Sequence, residues 1–164
     1  MLTLRKKCLL IAAAVLVSYT SLNAAADVLP AGARTPAPAQ VVSAYVGRTD
    51  LWKDDCGGGV YYGPNSTSRA WCQSSPSGFA AGSWTVDQFG RMCQQLTWYW
   101  SSNGHSGSSL GDHSCINHVV DRKGRIWRNW PGDKEWWPLG ADSDLVGGYV
   151  FQEKVLRAKR GMGI

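Results

Sequence analysis

Apolar positions along most of this chain alternate with polar ones, or cluster in short β-forming runs, and the runs are separated by turn residues. "GGVYYGPNSTSRAWC" (Gly58 to Cys72) carries β-formers on both sides of a Gly-Pro-Asn turn. "AAGSWTV" and "RMCQQLTWYW" flank the turn "DQFG", and "CINHVVDRKGRIWRNW" is two β-rich runs around "DRKG". "WWPLGADSDLVGGYVFQ" supplies a last pair of short segments, the final one around Tyr149 to Gln152. Only "AQVVSAY" (Ala39 to Tyr45) has a helical look, with Val41, Val42 and Tyr45 on one face and Gly47 to end it. Regular short strands with no long helical pattern between them predict a mainly β fold. The expected form is a small antiparallel β-barrel or sandwich built as a meander, with a short N-terminal helix.

The ends of the chain read differently. Arg5, Lys6 and Lys7 precede the ten-residue apolar run Cys8 to Val17, and small residues follow at Ala24 and Ala26. That is the three-part pattern of a secretory signal over residues 1–26, and it predicts a periplasmic or secreted protein. The run is too short for a permanent spanning helix, which needs about 20 apolar residues. Residues 27–40, rich in Pro and Ala, read as an extended linker, 41–153 as one β-rich domain, and 154–164 as a basic tail that frays.

Charge sharpens this. The leader holds three of the 17 basic residues and none of the 12 acidic ones, so the remainder carries +2 rather than +5. Four of its basic residues (Lys154, Arg157, Lys159, Arg160) crowd the C-terminus, which leaves the body near neutral and weighs against a nucleic-acid partner.

Without Cys8, four cysteines remain, an even number that predicts two disulfides in an exported domain. A hairpin turn centred near Pro64 sets Cys56 opposite Cys72. Asn103-Gly104 is a favoured two-residue hairpin turn. It sets Cys93 one residue out of register with Cys115, an offset that a β-bulge absorbs. The pairing expected is therefore Cys56–Cys72 and Cys93–Cys115.

Candidate chemistry is sparse. His113 and His118 fall on opposite faces of a strand, and no compact metal-ligand spacing exists. "GHSGSS" lacks the strand-to-helix setting of a nucleophile elbow, and the acids form no evident catalytic pair. No catalytic residue, metal or cofactor is assigned. Tryptophan is the anomaly: of nine, six lie between residues 98 and 137. Trp71, Trp84 and Trp98 suit a core, and Leu96, Trp98 and Trp100 form one apolar stripe. Trp130, Trp136 and Trp137 share a loop with Pro131, Gly132 and Pro138, which suits an aromatic platform for a carbohydrate or an apolar small ligand. Arg128, Asn129 and Asp133 would supply its polar rim. The expected role is a binding or envelope-interaction module whose partner is such a ligand or another envelope protein. The rival roles are a small hydrolase of cell-wall or extracellular polysaccharide and a structural envelope protein.

"AYVGRTDLW", "GGVYYG", "GSWTVDQFGRMC" and "VVDRKGRI" together resemble a family of small exported bacterial proteins, the domain of unknown function 995. The likeness runs from Val42 to Trp137, and its most specific piece is Gly82-x-Trp84 with Gly90, Cys93 and Cys115. The resemblance implies an exported β-rich domain and brings no agreed activity. The Cys93–Cys115 interval is longer than the family's usual one, and Cys56 with Cys72 look like additions.

Overall fold

In the computed structural model, residues 28–53, 55–140 and 144–164 are described, so the signal reading of residues 1–26 lies outside them. Ten strands form one antiparallel sheet: β1 (Arg48–Trp52), β2 (Gly58–Tyr62), β3 (Thr67–Trp71), β4 (Phe79–Val86), β5 (Met92–Ser102), β6 (His105–Leu110), β7 (Ser114–Val120), β8 (Ile126–Asn129), β9 (Trp137–Pro138) and β10 (Leu145–Gly147). Their order is β10-β1-β2-β3-β4-β5-β7-β8-β9, with β6 paired to β5 alone. The sheet curls into a half-barrel, so the expected mainly β fold is borne out, together with the short helix and both disulfides.

Register explains how one face becomes the core. From β1 through β5 to β7 and β8, each pairing sets even-numbered residues opposite even-numbered ones. Directly opposed side chains share a face. Val60, Tyr62, Ala70, Trp84, Met92, Leu96 and Ile116 therefore gather on the concave side and are buried together. Helix α1 (Pro38–Tyr45) caps that core with Val41 and Tyr45. Pro38 fits the first helical turn, where no N–H is needed, and Gly47 leaves it at φ 75°. Val42, expected on the inward face, is exposed.

Three expectations need correction. The linker is not free: Arg34 pairs with Val120 through two backbone hydrogen bonds, and Pro36 is fully buried. The C-terminal segment does not fray. It forms α2 (Gln152–Met162), which lays Val155 and Ala158 on the convex face against Trp71 and Phe79. Glu153 in its first turn and Lys159 and Arg160 in its last suit the helix dipole, and Gly163 caps it in the left-handed region. The stripe Leu96–Trp98–Trp100 buries only in part: Leu96 is buried and Trp98 half-buried, but Trp100 is exposed. Its ring lies instead across Gly107 of β6, where a Cβ would collide with it.

Both disulfides form as paired in the sequence reading. Asn103 and Gly104 take positive φ and turn β5 into β6, with Ser102 opposite His105. Gly111 to His113 then leave the ladder, and β7 returns to the first half of β5 with Cys93 opposite Cys115. The one-residue offset is absorbed there. The first bridge works by another route. The β2–β3 turn is centred on Asn65 and Ser66, both at positive φ, so Val60 faces Ala70 and the ladder is shifted from the one expected. Cys56 and Cys72 meet beyond the strand ends, helped by Gly57 at φ 67° and by a Gln73 N–H donated to the Cys56 carbonyl.

Candidate functional site

The half-barrel closes across β1 and β8, strands far apart in sequence. Asp50 sits opposite Val60 and Arg128 opposite His118, so both project into the concave side. Arg128 Nη1 donates to Asp50 Oδ2 at 2.7 Å across the seam. Burial opposes ionisation of both groups. It raises the Asp50 carboxyl, an effect that Arg128 counters. Around the guanidinium, Asp50 and the Tyr45 hydroxyl outweigh burial and raise its pKa. Each charge is the main counterweight to the burial of the other.

Behind the pair runs a buried polar chain. The Tyr45 hydroxyl meets His118 Nε2 at 2.8 Å, and His118 Nδ1 meets the Gly90 carbonyl at 2.9 Å. A carbonyl only accepts, so Nδ1 carries the proton, Nε2 accepts from Tyr45, and the ring is neutral. Burial lowers its pKa to about 4, against the bond to Gly90 and with help from Arg128. This histidine is tied to structure.

Arg128 and its neighbours are aimed by the β7–β8 turn. Asp121 accepts from the Lys123 and Arg125 N–H groups through Oδ1, and from Arg125 Nε and Trp127 Nε1 through Oδ2. Burial opposes its charge, but these bonds win and hold the carboxyl well below its usual range. At the end of the strand, Asn129 receives a bond from Asn117 and donates to the Asp133 carbonyl, which pins the turn carrying Trp130. β9 then sets Trp137 opposite Arg128.

The result is a seam pocket of about 330 Å³, within the lower range of small-ligand sites. Trp52, Trp130 and Trp137 stand around it, and Asp50, Arg128 and Gln94 supply polar lining. Trp130 is 53% exposed and Trp137 36%. Asp144, paired to Lys53 at 2.8 Å, stands at the edge. Gln94 Oε1 is buried without a hydrogen-bond partner among the described residues.

Of the residues expected from sequence, Arg128, Asn129, Trp130 and Trp137 come together here. Asp133 and Trp136 do not line the pocket; Asp133 contributes its backbone carbonyl to the turn. Sequence reasoning missed Asp50, Trp52 and Gln94. An acid and a tryptophan two apart on a strand was the available signal for the first two. His105 and His113 are exposed, and among the described residues no histidine is hydrogen-bonded to an aspartate. Cys93, His113 and Cys115 lie close enough for a metal, but the two sulfurs are joined to each other.

Residues 13–144 match the model of a family described as protein of unknown function (DUF995). The chain belongs to this family. The matched stretch of this DUF995 chain holds the whole seam, from Asp50 through Trp137 to Asp144, whereas α2 lies beyond it. No curated protein and no solved structure matches it.

Proposed function

We propose that this DUF995 protein is an exported, non-enzymatic binding module of the bacterial periplasm or cell exterior, and that its seam pocket takes a neutral carbohydrate. The observation that carries this reading is the pairing of exposed Trp130 and Trp137 with a pocket whose ion pair is already closed between Arg128 and Asp50. Indole faces stack on the C–H faces of sugar rings, and paired charges leave hydrogen-bonding atoms without a net charge to recruit an ion. The test is a titration of intrinsic tryptophan fluorescence with neutral sugars, apolar small molecules and envelope extracts. Saturable shifts with sugars that vanish in Trp130→Ala are expected; a shift with apolar ligands alone overturns the carbohydrate assignment.

A second reading, a small polysaccharide hydrolase, draws support from two carboxylates in one pocket, Asp50 and Asp144. Each is neutralised by a basic partner, which favours binding over proton transfer. Release of reducing ends that is lost in Asp144→Asn would favour hydrolysis.

A further inference from the structure

The seam pocket is not isolated. Two more cavities, of about 580 and 220 Å³, adjoin it, and all three share Trp52 and Gln94 in their walls. The larger runs outward past Lys53, Asp55 and Trp130; the smaller runs along β5 past Trp98 to Asp112. Trp52 and Trp98 stand with ring centres 6.3 Å apart. Even-numbered register explains the row: Trp52 of β1, Gln94 and Trp98 of β5 and Ser114 of β7 all project from the concave face, and the curl of the sheet brings β1 across to the other two.

We propose that these cavities are one groove for a linear, neutral oligosaccharide, with Trp130 and Trp137 at its head, Trp52 at its middle and Trp98 at its far end. This rests on the carbohydrate reading of the seam pocket and adds the length, charge and polarity of the ligand. Length follows from the contiguity of the three cavities. Neutrality follows from the charges: Asp50 is matched by Arg128 and Asp144 by Lys53, and the other charged groups on the walls, Asp55 and Asp112, are acidic and repel an anionic chain. Polarity follows from Gln94. Gln94 lines all three cavities, and its Oε1 lacks a protein donor among the described residues, so a ligand that draws the amide toward it and donates a hydroxyl or amide N–H gains what a purely apolar one cannot.

The experiment is calorimetric titration of the full disulfide-bonded chain with monomers, dimers and tetramers of N-acetylglucosamine and of glucose, beside tetragalacturonate. The expected result is affinity rising at least tenfold from monomer to tetramer in one neutral series, with tetragalacturonate weaker. In Trp98→Ala, which removes only the far end, the tetramer should bind no better than the dimer. Gln94→Met, of similar volume, should keep its circular dichroism and weaken the tetramer about tenfold, which tests the groove even where Trp98→Ala does not fold. Affinity independent of length, equal binding of tetragalacturonate, or an unaltered Gln94→Met overturns the groove while leaving a carbohydrate pocket standing. No binding of either neutral series overturns the groove and the carbohydrate reading together.

Discussion

His118 shows how a residue that looks like chemistry can be architecture. It is 3% exposed, and both ring nitrogens are used, one on Gly90 and one on Tyr45. Its pKa falls from an ordinary 6.5 to about 4. Between those values the unfolded chain binds more protons than the folded one, so stability is full above pH 6.5 and is lost as pH falls toward 4. At pH 5 the protein should be about 2 kcal/mol less stable than at pH 7 through this group alone. Urea titrations at the two pH values check this, and His118→Gln should remove most of the difference. A difference of the same size in that variant would mean that His118 does not carry the acid sensitivity between pH 5 and 7; Asp87, held below its usual range by backbone bonds from Phe89 and Arg91 that outweigh burial, loses its contribution only at lower pH. Single residues are also where sequence reading was weakest. Trp130 and Trp137 were legible because they stand beside turn-forming Pro and Gly. Asp50 was not, because its partner Arg128 lies 78 residues away and no local pattern announces it. Gln94 was not, because an amide on a strand carries no signal until the cavities around it are known.

At the scale of elements, strands and turns were readable where a turn residue fixes the register. Asn103-Gly104 gave the β5–β6 hairpin directly. The β2–β3 turn misled by a small shift, because Asn65 and Ser66 rather than Pro64 make the left-handed bend. α2 escapes a reading of the sequence because its charges suit a solvated tail, although Phe151, Val155, Ala158 and Met162 follow a helical spacing. Its long basic side chains also cover aromatic faces: Lys154 lies 5.6 Å from the Trp71 ring centre and Lys159 5.8 Å from that of Phe79. The helix therefore shields the convex face. Val155→Asp would bury an unpaired carboxylate there and should cost about 3 kcal/mol, whereas Leu156→Asp on the exposed side should change stability by less than about 0.5 kcal/mol. Urea midpoints give both values, and a red shift of tryptophan emission in Val155→Asp would report exposure of Trp71. Equal effects of the two substitutions would mean that α2 is not docked in solution.

At the scale of the whole molecule, the two ends of the sheet approach without a ladder between them among the described residues, and the seam is held by a buried ion pair. Such a pair is expensive to desolvate but far more expensive to break in half. Asp50→Leu leaves the Arg128 guanidinium, 21% exposed at its side chain, beside a leucine. Arg128→Met likewise leaves a carboxylate 8% exposed. Either single substitution should cost about 3–5 kcal/mol, and the double substitution should recover most of that loss, since two apolar side chains can pack where two charges did. Binding should behave differently. The charged pair also forms the polar lining between Trp52 and Trp137, so the double variant should fold well and still lose carbohydrate-induced fluorescence changes. Urea denaturation and sugar titration on the same four proteins separate the two roles. Recovery of both stability and binding in the double variant would show the pair to be a closure device alone, with the ligand held by the tryptophans. Recovery of stability without binding would show that the protein keeps a costly ion pair in its seam because the pocket uses it.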